Sequence, residues 1–361
     1  MPLFVMALAG EFTTVDRVVM RQAAGGKDVL YGPAFSNPAL SYKLKAVLAH
    51  RASVLALGSS RVMQLRRHFF IPGTSFYNGG GVISRLVHFR YVLGQIPAEA
   101  RPTTLLLGLD QWFFNAKRET FTKEGLSAEF NDVDNPLNIT QRNHAAVLEG
   151  LWNGRISAGK VLSHVEAGDI GITAIMASQG FRPDGSYRYG RTLANPDDPE
   201  GHDPGFRDTL QRIREGNRRF EWADDLAPEA MAELAALLKE CRRDGIRVVA
   251  YLPPFAPSVL ARMRESGHYA YVQKIALAVR PLFDGEQSRF YDFTDVSSLG
   301  ADDREFIDGF HGSEKTDARL LVAMAADGAL PGVVDARLLT QWLTSSSSRF
   351  ELGPAPTASL H

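Results

Sequence analysis

Val54-Leu55-Ala56-Leu57-Gly58-Ser59-Ser60-Arg61 runs from four apolar residues through a glycine into two hydroxyl side chains. An apolar run bounded by glycine predicts a short strand buried on both faces, as in a parallel sheet. A serine directly after such a strand stands on a tight turn into a helix. There its hydroxyl is exposed and its N–H lies near the helix N-terminus, where a developing oxyanion can be met. The same Gly-Ser-Ser step also serves as an ordinary helix cap, so Ser60 needs partners elsewhere in the chain.

The rhythm set by this stretch recurs on either side of it. Thr103 to Leu107 predicts a second strand ending at Gly108, Ile246 to Leu252 a third ending at Pro253-Pro254, and Phe290 to Phe293 a fourth. Helical spacing falls between them. Leu86, Phe89, Val92 and Leu93 mark a buried face over Ser84 to Leu93, and further helices are predicted over Ala227 to Arg243, Ser258 to Leu282 and Ala318 to Ala326. Strands alternating with helices predict an α/β fold of three layers, α/β/α, around a central parallel sheet. In such sheets the site lies at the carboxyl ends of the strands, here marked by Gly58, Gly108 and Pro253.

The stretch from about 114 to 223 breaks the rhythm and reads as a large insertion, a cap or substrate wall. Within it Gly180 to Tyr189 predicts a hairpin turning at Pro183-Asp184-Gly185, and Asn195 to Pro204 a loop. The chain therefore divides into an N-terminal segment (1–45), a catalytic domain (46–340) carrying the insertion, and a disordered tail (341–361). Leu3 to Ala9 is too short for a membrane span of about 20 residues. It reads either as the remnant of a membrane anchor that begins upstream or as an ordinary buried segment.

Composition removes several functions. With 361 residues and 45% hydrophobic content the chain can build a large core. A net charge of −1 gives no footprint for nucleic acid. The single cysteine, Cys241, permits no intrachain disulfide and no thiolate zinc cluster, and its helical setting makes it a packing residue. His68, His88, His144 and His164 lack ligand spacing, so no metal is expected. No Gly-x-Gly-x-x-Gly or P-loop pattern follows the first strand, and no cofactor is expected.

Partners for Ser60 stand near the other end. Asp308-Gly309-Phe310-His311 places an acid and an imidazole at i and i+3 behind the last predicted strand. Asp308 can orient the ring, and His311 can then take the Ser60 proton. Ser60, Asp308 and His311 fall in that chain order, with Asn78-Gly79-Gly80 and Gly108-Leu109-Asp110 between them.

On these blocks the chain resembles the SGNH hydrolase superfamily over roughly residues 50 to 325, outside the insertion. Gly58-Ser59-Ser60 stands for the nucleophile block, Asn78-Gly79-Gly80 for the second and Asp308-x-x-His311 for the last. The likeness is greatest to a divergent branch that modifies bacterial cell walls and exopolysaccharides, whose members often carry Gly-Ser-Ser and a segment like Leu252-Pro253-Pro254-Phe255. The resemblance implies a serine-dependent esterase or O-acyltransferase acting on acetyl esters of an acylated carbohydrate. It also implies an extracytoplasmic setting and a membrane-bound acyltransferase partner. The oxyanion hole would be built from the N–H groups of Ser60 and Gly80, with Asn78 assisting. Leu109 stands where the family carries an asparagine, which removes one donor. Arg61, Asp110 and Trp112 are candidates for substrate contact: Arg61 for an anionic group, Trp112 for stacking on a sugar. Their alternatives are an ion-paired arginine and a core tryptophan. A non-catalytic polysaccharide- or partner-binding module on the same scaffold is the competing reading.

Overall fold

The computed structural model describes residues 2–25, 28–131, 136–164, 168–197, 203 and 205–353. Among the described residues there are seven strands: β1 (Val54–Gly58), β2 (Phe76–Gly80), β3 (Thr104–Gly108), β4 (Gly180–Phe181), β5 (Tyr187–Arg188), β6 (Arg247–Leu252) and β7 (Ser288–Asp292). Five form one parallel sheet in the order β2-β1-β3-β6-β7, while β4 and β5 form a separate antiparallel pair. Helices cover both faces of the sheet, giving the three-layer α/β/α architecture. Every residue of β1, β2 and β3 is buried, which explains why these strands carry no alternation of polar and apolar residues.

β2 is the strand that periodicity missed. Phe76-Tyr77-Asn78-Gly79-Gly80 looks like a glycine-rich loop, but pairing with β1 from Val54↔Phe76 to Gly58↔Gly80 makes it extended. Its outer edge is covered by the predicted hairpin. The Asn78 N–H donates to the Asp184 carbonyl at 2.9 Å, and Lys43 Nζ donates to the carbonyls of Asn78 and Gly185. Gly185 has φ +81°, and a Cβ there would lie 2.1 Å from the Asn78 carbonyl oxygen. Only glycine lets the turn approach the sheet edge so closely. Asp184 holds the turn by accepting from Arg66 Nε, the Arg67 N–H, and the N–H and hydroxyl of Ser186.

Three boundaries differ from expectation. The segment 1–45 is not separate: Val15, Val18, Val19, Tyr31 and Tyr42 belong to the main core. Helix Pro2–Leu8 packs against helices Pro136–Trp152 and Ala158–His164 in a small second cluster with Val147, Ile156 and Val161. Leu3 to Ala9 is thus a partly buried helix, and among the described residues no helix is long and apolar enough to cross a membrane. The stretch Ser258 to Leu282 is two helices, Pro257–Ser266 and Ala270–Val279, broken where Gly267 takes φ +71°. The tail expected to be disordered begins inside helix Ala336–Ser345, and Phe350 and Leu352 beyond it are buried. The tail from Pro354 and most of the Asn195 to Pro204 loop lie outside the described residues. Cys241 is fully buried, and burial pushes its thiol up to about 12, consistent with packing rather than reactivity.

Candidate active site

The carboxyl ends of β1, β2 and β3 carry glycines at Gly58, Gly80 and Gly108. Val62 fills the space these three leave. A Cβ on Gly58, Gly80 or Gly108 would come within 2.7, 2.7 or 2.2 Å of a Val62 methyl. The strand ends are therefore bare so that a 3-10 turn, Ser60–Val62, can lie directly across them. Ser59 caps that turn by accepting from the Arg61 N–H at 3.2 Å.

His311 arrives from a loop that closes on itself. Phe306 and Gly312 form an antiparallel bridge, and the Ile307 N–H donates to the His311 carbonyl at 2.9 Å. Gly309 has φ +93°, and a Cβ there would meet Val259 at 2.6 Å. Asp308 Oδ1 accepts from the N–H groups of Phe310 and His311 at 3.2 and 2.9 Å. Its Oδ2 lies 2.7 Å from His311 Nδ1, and His311 Nε2 lies 2.7 Å from Ser60 Oγ. The three residues expected to act together are thus in one hydrogen-bonded line, although 251 positions separate Ser60 from His311. Burial pushes the Asp308 carboxyl up, but the His311 charge, its ring N–H and the two backbone N–H groups outweigh it and hold the carboxyl below its ordinary value. An acid kept ionised in this way fixes the tautomer with Nε2 free to accept the serine proton.

The remaining assignments need correction. Arg61 is 3% exposed and spends its guanidinium on the protein. It donates to the Phe310 carbonyl at 2.8 Å, to Gln111 Oε1 at 2.6 Å, and to the Pro253 and Pro254 carbonyls at 2.8 and 2.6 Å. It is a clamp between the Ser60 turn, the Pro-Pro turn and the histidine loop, with its guanidinium turned into the protein. Asp110 is fully buried 3.6 Å from Arg61 with neither oxygen hydrogen-bonded among the described residues, and burial raises its carboxyl above the ordinary value; it is closed off from solvent. Trp112 is 1% exposed and belongs to the core, as does Leu109.

The expected oxyanion donors are also committed. The Gly80 N–H donates to Asn78 Oδ1 at 2.7 Å, and Asn78 Nδ2 donates to the carbonyls of Val62 and Leu65, each at 2.8 Å. Asn78 is a staple that anchors the Ser60–Leu65 turn to β2. Among the described residues the Ser60 N–H has no acceptor and stays available beside the Ser60 hydroxyl.

Sequence reasoning missed two neighbours from the insertion. Thr209 Oγ1 donates to the Asp308 carbonyl at 2.7 Å, and the Tyr189 ring lies 6.3 Å from the His311 ring. Burial, with the Asp308 charge adding to it, pushes the Tyr189 phenol well above its ordinary value, so it remains a neutral donor. Neither carries a local motif. Both reach the triad only through the folding of the insertion onto the sheet.

No protein-family model matches the chain, and no curated protein is significantly similar to it.

Proposed function

We propose that the protein is a serine-dependent SGNH-type esterase or O-acyltransferase acting on acetyl esters of a cell-envelope or extracellular polysaccharide. The observation that carries this reading is the line Ser60 Oγ–His311 Nε2–His311 Nδ1–Asp308 Oδ2, with 2.7 Å at each contact. Ser60 Oγ attacks the acyl carbon while His311 Nε2 takes its proton. The tetrahedral oxyanion is met by the Ser60 N–H, and collapse returns the proton from His311 to the departing alkoxide. Water or a sugar hydroxyl, deprotonated by His311, then attacks the acyl-enzyme and releases Ser60. The same residues serve both outcomes, so acceptor access separates hydrolase from transferase. Work on envelope polysaccharide would put the protein outside the cytoplasm, with a membrane-bound acyltransferase as donor.

The test is turnover of a small acetyl ester together with labelling by a fluorophosphonate. Ser60→Ala is expected to abolish both. Unchanged turnover in that variant, or labelling at another residue, refutes the reading. One observation favours the competing binding module: the Gly80 N–H and the Asn78 amide are already occupied, and losing one oxyanion donor typically costs about 100- to 1,000-fold in rate. Carbohydrate binding that survives Ser60→Ala, without labelling of the unaltered protein, would select it.

A further inference from the structure

The insertion places one more cation over Trp112, on the row of rings that ends at His311, and it is held differently from its neighbours. Arg219 follows helix Arg207–Glu215 in the segment Asn217-Arg218-Arg219-Phe220. Arg218 and Arg219 both take positive φ, 50° and 84°, in succession and without a glycine. Non-glycine residues persist in this region only when the surroundings over-determine them, often at ligand clamps. The surroundings here are Phe220, 1% exposed and packed 5.6 Å from the Phe310 ring, and the Arg219 N–H donating to Glu221 Oε1 at 3.2 Å.

This backbone sends the side chain along the aromatic row behind His311. The Arg219 guanidinium lies over Trp112, 5.3 Å from its centroid. Trp112 meets Phe310 at 6.2 Å, and Phe310 meets His311 at 4.3 Å. The other arginines of this region are engaged. Arg61 has four acceptors, Arg118 has Glu119 and Glu221 each at 3.5 Å, and Arg212 has Asp208 at 2.5 Å. Arg219 is half-buried, and its guanidinium has no acceptor among the described residues. Burial lowers its pKa, and the pull of Asp110 and Asp308 does not offset that loss, while Arg118 and Arg212 add to it. Asp110 attracts it from a distance but makes no hydrogen bond to it, and a guanidinium left without an acceptor presents the fork that carboxylate and phosphate oxygens match.

We propose that Arg219 receives an anionic group, carboxylate or phosphate, of the substrate beside the Ser60–His311 pair. The word substrate rests on the esterase reading; the anion site does not. A neutral acetylated sugar offers this guanidinium only uncharged oxygens, so an ester on an acidic polymer matches it better. Uronic acids and phosphodiester-linked polyols are the two chemical sources of such a group.

Binding to the Ser60→Ala protein tests the site without any chemistry. Calorimetry compares an oligogalacturonate, an uncharged oligosaccharide of the same length and glycerol 3-phosphate. A charge-assisted contact of this kind predicts about 10- to 100-fold tighter binding of the anionic ligand. Adding Arg219→Gln should remove that preference, and Arg219→Lys should keep part of it. Preference for the uronate assigns a carboxylate; preference for glycerol 3-phosphate assigns a phosphate. Equal binding of charged and uncharged ligands, or a preference that survives Arg219→Gln, overturns the proposal. Loss of fluorophosphonate labelling in the unaltered protein would instead count against the esterase reading, leaving the calorimetric result to stand on its own.

Discussion

Gly108→Ala adds a single methyl group, and the structure sets its consequence. The new Cβ would lie 2.2 Å from Val62 Cγ1, against an ordinary carbon–carbon contact of about 3.5–4.0 Å. Alanine is at ease in a strand, so backbone conformation is not the issue. The overlap exceeds about 1 Å and falls on a fully buried valine two residues after the nucleophile. Overpacking of this kind costs roughly 1–3 kcal/mol. If Val62 yields, Ser60 moves with it, and a displacement near 1 Å costs on the order of 100-fold in rate. Val62→Ala alone removes two methyl groups and should cost about 2 kcal/mol. The double variant places the added methyl where the removed ones were. It should be more stable than the sum of the two losses by at least about 1 kcal/mol and recover turnover to within about tenfold of the unaltered protein. Urea unfolding and acetyl-ester turnover of the four proteins measure both. Additivity within about 0.5 kcal/mol, with turnover in Gly108→Ala unchanged, would refute the claim that bare strand ends seat the nucleophile.

Other substitutions probe the remaining contacts. Arg61→Lys keeps the charge but cannot reach four acceptors at once, so it should cost about 2–4 kcal/mol in urea unfolding; a loss under about 0.5 kcal/mol would count against the clamp. Asn78→Ala frees the Gly80 N–H but orphans the Val62 and Leu65 carbonyls, so stability should fall by about 2 kcal/mol or more; a stable variant with much lower turnover would return Asn78 to the oxyanion hole. Burial pulls the Lys43 ammonium from 10.5 down to about 7. Between those values the unfolded chain binds a proton that the folded chain does not, so stability should rise by a few kcal/mol from about pH 7 to 10 and be independent of this group below 7. Lys43→Met should flatten that rise in urea midpoints, and parallel pH curves for the two proteins would refute the assignment.

The sequence was most legible where one residue type has one physical use. Val54 to Leu57 and Ile246 to Leu252 are strands because continuous apolar runs of that length fit a sheet covered on both faces. The Ser60–His311–Asp308 line was legible because a serine after a strand and an Asp-x-x-His loop each restrict the backbone locally. β2 was illegible because its extended form comes from its neighbours, the β1 ladder and the hairpin edge, and not from Asn78-Gly79-Gly80 itself. Arg61 and Asp110 were misread for a related reason. A charged residue beside a nucleophile looks the same in sequence whether it faces solvent or satisfies buried carbonyls. Thr209 and Arg219 left no signal, since the insertion folds back across about a hundred residues to reach Asp308.

Ser60 and His311 belong to portions of the chain that a single cut in the insertion would part. Among the links that join them are the β3–β6 ladder, the Arg61 guanidinium on the Pro253, Pro254 and Phe310 carbonyls, the Gln111 amide on Pro253 and the Arg66–Glu314 ion pair. On the proposed chemistry, Ser60-dependent labelling would therefore report long-range docking. During refolding it should appear only after the two portions have met, later than helical content. On mild denaturation it should fade while most backbone hydrogen bonds remain.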